Sequence, residues 1–251
     1  GRLCSKGSSL AETLSLEGWL LQPSIQGKNV SWPTAISKVA NDFQRIIAEH
    51  GRDSVAFYLS GQLLTEDYYV ANKLMKGYIG TANIDTNSRL CMSSAVAGYK
   101  RAFGADIVPA SYEDFDTAEL IILVGSNTAW CHPIVFQRIK AIKEQRPSLK
   151  IVVIDPRETA TNEIADLHLP IKAGTDVLLF NALLVDVVTK GLTDEEFVSK
   201  HTKGLAETLK SAQQDVGDGS TVAERLGVDA AVLETLKTWF ANTPKTMTLF
   251  S

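Results

Sequence analysis

A single cysteine, Cys91, lies where the sequence passes from turn-forming polar residues into a predicted helix. The residues Thr-Asn-Ser-Arg-Leu at 86–90 precede Cys91 and Met92, and small residues follow as far as Tyr99. Helix N-termini favour anionic groups, so a thiol at such a junction is more easily held as the thiolate, which attacks carbon or ligates a metal. The competing interpretation is a small buried thiol, because unpaired cysteine packs well in a core.

Three short polar segments follow apolar segments that have the character of neighbouring strands. They are Gly125-Ser126-Asn127, Asp155-Pro156-Arg157 and Gly174-Thr175-Asp176. In parallel α/β sheets, ligands bind at the carboxyl ends of the strands, where turns expose backbone amides and helix N-termini favour anions. Together the three segments favour a dinucleotide-like ligand, which no one of them indicates alone.

The first segment combines close backbone approach with short polar side chains. Gly125 permits a ligand to come near, and Ser126 and Asn127 offer hydrogen bonds suited to a phosphate or a ribose. The segment lacks the full glycine fingerprint of a dinucleotide fold, so an ordinary tight turn is the alternative interpretation.

The other two segments carry carboxylates. Asp155 is placed to accept hydrogen bonds from ribose hydroxyls, and Arg157 with Thr159 can hold a phosphate; an Asp-Pro turn with a surface salt bridge is the alternative. Thr175 and Asp176 open an apolar helix, where they can act as caps. Asp176 can instead accept two hydrogen bonds from the N1 and N2 edge of guanine, donors that adenine lacks.

The elements that must position these residues alternate in type. Apolar spacing predicts helices over 34–50, 65–76, 91–103, 133–145, 175–189, 194–201, 206–213 and two within 222–241. Strands are predicted at 55–59, 120–124, 151–154, 167–170 and 246–251, and 77–87 is predicted to be a loop. Strands that alternate with helices at this spacing indicate an α/β fold with a parallel sheet and crossover helices.

Composition limits the classes of function. The 251 residues are 45% hydrophobic and 22% charged, which predicts a globular protein of one large or two ordinary domains. The net charge of -4 provides no general basic field, so neither nucleic acid nor a membrane surface is an expected partner. Three cysteines do not form a disulfide framework, which favours the cytoplasm. The chain opens on Gly1 without an initiator methionine, which suggests a fragment.

Several motifs, in this order, resemble those of the molybdopterin oxidoreductase family, and within it the assimilatory nitrate reductase branch. The resemblance covers essentially the whole chain and rests on Cys4-Ser5-Lys6-Gly7, Ser60-Gly61-Gln62, the segment 80–92 and the three polar segments above. It implies a parallel Rossmann-like sheet with flanking helices, as part of the multi-domain fold of that family.

The same resemblance implies a division of the chain into four parts. Residues 1–32 would be a loop-rich segment after an iron-sulfur cluster region, and 33–90 a first, incomplete α/β domain. Residues 91–245 would form the Rossmann-like dinucleotide-binding domain, and 246–251 a strand that returns to the incomplete domain.

The resemblance also implies a molybdenum cofactor with two molybdopterin guanine dinucleotides. Cys91 would be the thiolate ligand of molybdenum with Met92 close to the metal, and Gln62 and Asn87 would contact the pterin. The three polar segments would hold one guanine dinucleotide, with Asp176 on the guanine.

A 4Fe-4S cluster is implied by the N-terminal motif. Cys4 matches the last of four cluster cysteines, and Lys6 matches the lysine between cluster and pterin on the electron path. The other cluster ligands and the segments that hold the second pterin would lie outside these residues, so the isolated fragment is expected to be inactive.

The implied reaction is reduction of nitrate to nitrite by transfer of one oxygen atom to molybdenum, with electrons from a donor protein or reductase subunit. Two alternatives remain open. One is a formate dehydrogenase catalytic subunit, which shares the cofactor, and the other is a nucleotide-binding module without chemistry of its own.

Overall fold

The computed structural model describes residues 5–87, 90, 92–219 and 221–250. The chain forms two compact units: Ser9–Val108, called here the smaller unit, and Pro109–Ser251 together with Gly1–Ser8, called the larger unit. Among the described residues, no helix is long and apolar enough to cross a membrane.

In the first half of the chain, the described residues form short strands, four α-helices, two 3₁₀-helices and one π-helix. In chain order these are α1 (Ser5–Ser8), a 3₁₀-helix (Leu10–Leu14), β1 (Ser24–Ile25), β2 (Lys28–Asn29), α2 (Trp32–His50), a 3₁₀-helix (Arg52–Ser54), β3 (Phe57–Leu59), α3 (Thr65–Asn72), a π-helix (Lys73–Ile79), β4 (Ile84–Thr86) and α4 (Ser93–Phe103). The sheet of the larger unit lies in the second half.

That second half repeats strand and helix. It contains a 3₁₀-helix (Tyr112–Asp116), β5 (Leu120–Val124), α5 (Thr128–Cys131), α6 (Pro133–Gln145), β6 (Lys150–Ile154), a 3₁₀-helix (Ala160–Ile164), β7 (Leu167–Leu169), α7 (Asp176–Thr189), α8 (Glu195–His201), α9 (Leu205–Val216), α10 (Val222–Leu226), α11 (Ala230–Asn242) and β8 (Thr246–Phe250). The predicted helices and strands of this half are all present.

Local sequence explains the boundaries of α2. The Ser31 hydroxyl accepts a hydrogen bond from the Thr34 N–H at 3.4 Å, and a proline stands in the first turn, where its missing N–H has no cost. The helix ends at Gly51, whose φ of 84° lies in a region that residues other than glycine rarely adopt. The helix predicted over 34–50 is therefore confirmed.

A small parallel pair of strands corrects one prediction in the smaller unit. Residues 77–87 were expected to be a loop, yet β4 lies there and pairs with β3, with Phe57 opposite Ile84 and Leu59 opposite Thr86. A three-residue strand with one apolar side chain leaves almost no periodic signal in the sequence. The pairing brings the carboxyl ends of β3 and β4 together.

The larger unit is organised around a parallel sheet with the strand order β7-β6-β5-β8. The residues of β5 are buried alternately in two cores. Leu120, Ile122 and Val124 pack with residues of α7, α9, α10 and α11, while Ile121 and Leu123 pack with residues of α6. Burial on both faces explains the continuous apolar runs of the central strands.

The strand pairing and the grouping of contacts differ from two of the predicted domain boundaries. The strand expected to return from 246–251 to the incomplete domain is β8, which pairs with β5 from Leu120 opposite Thr246 to Val124 opposite Phe250. The side chains of Met247 and Leu249 pack against the core on the α6 side of the sheet, which fixes the strand there. Residues as far as Val108, including α4, belong instead to the smaller unit.

Candidate functional site

The turn after β5 is held by backbone and hydroxyl contacts. The N–H of Gly125 donates to the Ile154 carbonyl at 2.8 Å, and its φ of 58° is left-handed. The buried hydroxyls of Ser126 and Thr128 lie 2.9 Å apart. The turn is thus a rigid start for α5, attached directly to the end of β6.

Asn127, the third residue of this turn, is tied to a segment farther along the chain. Its Oδ1 accepts a hydrogen bond from the hydroxyl of Thr161 at 3.1 Å, and the same hydroxyl accepts from the N–H of Ala129 at 3.1 Å. Thr161 is completely buried, whereas Asn127 is half-buried. The structure therefore connects the turn after β5 with the loop after β6.

The turn after β6 is built on a buried carboxylate. Asp155 is 5% exposed, and its Oδ1 accepts from the N–H of Arg157 at 2.8 Å. Its backbone carbonyl lies 3.0 Å from His168 Nε2, on the neighbouring strand β7. The Arg157 guanidinium is 4.0 Å from the carboxylate and is largely exposed, so it can reach an anion in solvent. The salt bridge between Asp155 and Arg157, which was the alternative interpretation of this turn, is therefore a long one.

Thr159 has a structural role at the end of this loop. Its hydroxyl accepts from the N–H of Thr161 at 3.3 Å, which caps the 3₁₀-helix Ala160–Ile164, and its own N–H donates to Asn162 Oδ1 at 3.2 Å. The cap fixes the start of the segment that carries Thr161. A contact of Thr159 with phosphate, expected from the sequence, stays a prediction.

The third predicted turn leads into α7. Gly174 has a φ of 82°, and the Thr175 hydroxyl donates to the Lys172 carbonyl at 2.6 Å. In the described part of the chain no side chain caps α7, and Asp176 is its exposed first residue. Capping by Thr175, one interpretation of the sequence, is therefore wrong, because its hydroxyl donates to a carbonyl and does not accept from the helix.

Taken together, these turns form a polar edge, defined here as Gly125–Asn127, Asp155–Arg157 and Gly174–Asp176. The first two turns follow hydrogen-bonded strands and are joined by the Gly125 to Ile154 bond. The third comes after β7, which pairs with β6. The polar edge offers hydroxyls, an amide, carboxylates and one guanidinium, which suit phosphate, ribose and base. The described residues contain no group of His, Cys, Asp and Glu side chains that would hold a metal ion.

The smaller unit brings two of its predicted residues to the ends of β3 and β4. Asn87 Oδ1 accepts from the N–H of Gly61 at 2.6 Å, and the Asn87 N–H donates to the Leu59 carbonyl at 3.4 Å. Gln62 is exposed, and its N–H donates to Ser60 Oγ at 3.1 Å. Asn87 therefore orders the loop that carries Gln62.

Met92 precedes α4 in the same unit and is 47% exposed. It lies at a surface depression lined by Met92, Ser93, Val96, Ala97, Lys100 and Asp106. Cys91 and Cys4, the two expected metal ligands, lie outside the described residues. Lys6 is exposed in α1.

An ion pair connects α6 with the 3₁₀-helix Ala160–Ile164. A hydrogen bond from Lys140 on α6 to Glu163 raises the pKa of the Lys140 ammonium. Glu163 belongs to the same 3₁₀-helix as Thr161, so this exposed ion pair ties that segment to α6.

Thr161 is the residue that sequence reasoning missed. It lies 34 residues from Asn127, and no periodicity connects the two. Its one available signal was the capping pattern of a threonine at 159 followed by an asparagine at 162, which marks a helix start but not a buried contact.

Comparison with known proteins defines the class to which this fold and site belong. The family model "Molybdopterin oxidoreductase" matches residues 21–247, and the chain belongs to that family. A nitrate reductase of Klebsiella oxytoca is 48% identical over 251 residues, which is 100% of this chain and 28% of that protein. A nitrate reductase of Shewanella frigidimarina is 48% identical over 250 residues, covering 99% of this chain and 26% of that protein. The chain thus spans about a quarter of the length of these relatives.

A solved structure supports the fold. Acetylene hydratase from Pelobacter acetylenicus superposes with a TM-score of 0.73 and 24% identity, covering 99% of this chain and 34% of that one. At this identity the likeness concerns the fold alone. It confirms the α/β architecture with a parallel sheet and flanking helices that the sequence predicts.

Proposed function

We propose that this chain is the molybdenum-cofactor-binding portion of a nitrate reductase catalytic subunit. The observation that carries the proposal is the 48% identity with a nitrate reductase along the entire chain. The reaction would reduce nitrate to nitrite and water, with two electrons and two protons consumed. Molybdenum, when bound, would supply the oxygen-atom transfer.

The polar edge fits one guanine dinucleotide by the chemistry of its groups. Asp155 offers a buried carboxylate to ribose hydroxyls, and the exposed Arg157 offers a cation to phosphate. The exposed Asp176 carboxylate, at an uncapped helix start, offers two acceptor oxygens to the N1 and N2 donors of guanine. Gly125 and Gly174 lack side chains that would obstruct the ligand, and nothing lies within 4 Å of a Cβ built on either. We therefore assign the nucleotide portion of the cofactor to this edge.

The remaining roles follow from the family. Cys91 would hold molybdenum as thiolate with Met92 nearby, and Gln62 and Asn87 would contact the pterin. Asn87 already accepts from the Gly61 N–H, so its amide NH₂ is the group left to donate. Cys4 would be one ligand of a 4Fe-4S cluster, and the Lys6 ammonium would lie on the electron path from a cytoplasmic donor protein.

Activity of the full-length enzyme with a reduced dye tests the proposal against its rival. We expect nitrate to be reduced with the dye as electron donor, and formate to leave an oxidised dye unchanged. Formate oxidation without nitrate reduction would identify a formate dehydrogenase. Neither activity in a metal-loaded enzyme would favour a nucleotide-binding module without chemistry of its own.

A further inference from the structure

A buried threonine outside the predicted site, Thr161 in the 3₁₀-helix after β6, contacts the turn after β5. Thr161 accepts a hydrogen bond from the N–H of Ala129 and donates to Asn127 Oδ1. A hydroxyl has a single proton, so this arrangement commits that proton to the asparagine. The Thr161 side chain has no solvent exposure, which protects both contacts from exchange with water.

The contact determines what Asn127 can offer a ligand. An asparagine amide has a carbonyl that accepts and an NH₂ that donates, and Thr161 engages the carbonyl. Among the described residues, the NH₂ group of Asn127 makes no hydrogen bond, and the side chain is half-buried at the turn after β5. The group left for a ligand is therefore a donor.

We propose that Thr161 is a positioning residue that holds Asn127 so that its NH₂ donates to an acceptor oxygen of the bound nucleotide. The acceptor is either a phosphate oxygen or a ribose hydroxyl. The inference rests on the nucleotide site proposed above. It adds the positioning residue Thr161 and the direction of one hydrogen bond, which Asn127 donates to the ligand. It also explains why a fully buried hydroxyl lies between the turn after β5 and the loop after β6.

The positioning step can be tested without a ligand. Thr161→Val removes the hydroxyl and nearly keeps the shape, whereas Thr161→Ser keeps the hydroxyl. In ¹⁵N NMR spectra of the chain, we expect Thr161→Val to accelerate hydrogen exchange of the Ala129 N–H about tenfold or more and to move the Asn127 NH₂ signals toward those of an exposed asparagine. Thr161→Ser should leave both near their wild-type values. Unchanged Ala129 and Asn127 signals in Thr161→Val would overturn the proposal.

A distant threonine provides the control for a general effect of hydroxyl loss. The Thr235 hydroxyl donates to the Ala231 carbonyl within α11, so Thr235→Val removes a hydroxyl without touching the polar edge. It should change neither signal. If it moves them as much as Thr161→Val does, the response is global and the positioning role is refuted.

The donor role is tested with GDP and guanosine as probes in equilibrium dialysis. Asn127→Asp keeps an acceptor for the Thr161 hydroxyl and removes the NH₂, so the variant should fold while its affinity for GDP falls about tenfold. A loss confined to GDP in both Asn127→Asp and the uncharged variant Asn127→Ala identifies phosphate as the acceptor, and an equal loss for guanosine in both identifies ribose. Wild-type affinity in Asn127→Asp would overturn the donor role alone. Failure of the wild-type chain to bind either probe would overturn the nucleotide site itself, and the donor role with it.

Discussion

At the residue scale, the specificity proposed for the polar edge would depend on a few exposed or half-buried groups. Asp176 is the one whose chemistry can distinguish bases, because the two oxygens of a carboxylate match the N1 and N2 donors of guanine. It stands at the start of α7, where Thr175 donates to the Lys172 carbonyl and does not cap the helix. The exposed Asp176 carboxylate would therefore be accessible to a ligand.

Asp176→Asn should lower affinity for GDP about tenfold and leave affinity for ADP unchanged, because an amide keeps only one acceptor. Stability should fall by no more than about 1 kcal/mol, the usual size of a helix-dipole effect. Equilibrium dialysis with the two nucleotides measures the preference. Asp194→Asn is the matched control, since Asp194 accepts from the Phe197 N–H at the start of α8, away from the edge. Equal loss for GDP and ADP would refute base recognition by Asp176.

The polar residues of the three turns could be predicted from sequence because each directly follows an apolar strand or opens a helix. Thr161 could not, since its importance arises only when two loops 34 residues apart meet at adjacent strand ends. That Thr175 does not cap α7 was also beyond sequence, because a hydroxyl at a helix start can either accept or donate.

At the element scale, α7 positions the third turn and closes one of the two cores. Its Leu178, Leu179 and Leu183 are buried in the cluster that contains Leu120, Ile122 and Val124 of β5. Val177 lies on the other side of the helix and is 69% exposed. The helix therefore offers a buried and an exposed residue in adjacent positions.

Leu179→Ala should reduce the free energy of unfolding by about 2–5 kcal/mol, because it leaves a cavity at a site with no solvent exposure. Val177→Ala, in the same helix, should change it by less than about 0.5 kcal/mol. Urea unfolding followed by circular dichroism gives both values. Comparable losses in the two variants would contradict the packing described for α7.

Asn87→Ala should loosen the loop after β3, because it removes the acceptor of the Gly61 N–H. Hydrogen exchange at Gly61 should become about tenfold faster, whereas Asn87→Asp, which keeps an acceptor oxygen, should retain slow exchange. Exchange at Gly61 that is equally fast in wild type and Asn87→Ala would refute the contact.

Most elements could be predicted because their apolar spacing is long enough to define a period. The strand β4 has three residues, and the helix from Thr65 changes to a π-helix at Lys73, a transition without a pattern of its own. The pairing partner of β8 could not be predicted either, since strand order is decided by contacts between distant segments.

At the scale of the whole molecule, the two units differ in the extent of their cores. The buried hydrophobic residues of the larger unit include most of β5 and β6, whereas in the described part of the smaller unit the only buried hydrophobic residues are Val55 and Met75. The smaller unit exposes large apolar side chains on α2, including Trp32, Ile36 and Val39. Burial of apolar area is the main favourable contribution to stability, so the larger unit should be the more stable.

Hydrogen exchange of the whole chain measured by mass spectrometry should reflect this difference. Peptides from Pro109–Ser251 are expected to exchange slowly at β5 and β6, and peptides from Ser9–Val108 are expected to exchange faster. Equal protection of the two units would contradict a difference in core. The division itself was only partly predictable, because the boundary near Val108 has no marked change in composition.

The isolated chain should not assemble the iron-sulfur cluster. A 4Fe-4S cluster takes four thiolates, and the chain has three cysteines in all. Iron and molybdenum analysis of the purified chain should give substoichiometric amounts of both metals. An activity assay of the same chain should detect no nitrate reduction. Stoichiometric iron and molybdenum would show that these residues suffice to hold the cofactors.

The measurement that tests the proposed function most directly is nitrate reduction by the full-length enzyme with a reduced dye, together with its molybdenum content, in wild type, Cys91→Ala and Cys131→Ser. Wild type should contain molybdenum and reduce nitrate, and Cys91→Ala should lose the activity because the thiolate ligand is gone. Cys131→Ser, which changes an exposed cysteine with no assigned role, should remain active. Full nitrate reduction in Cys91→Ala, or a wild-type enzyme that reduces nitrate without molybdenum, would contradict the assignment.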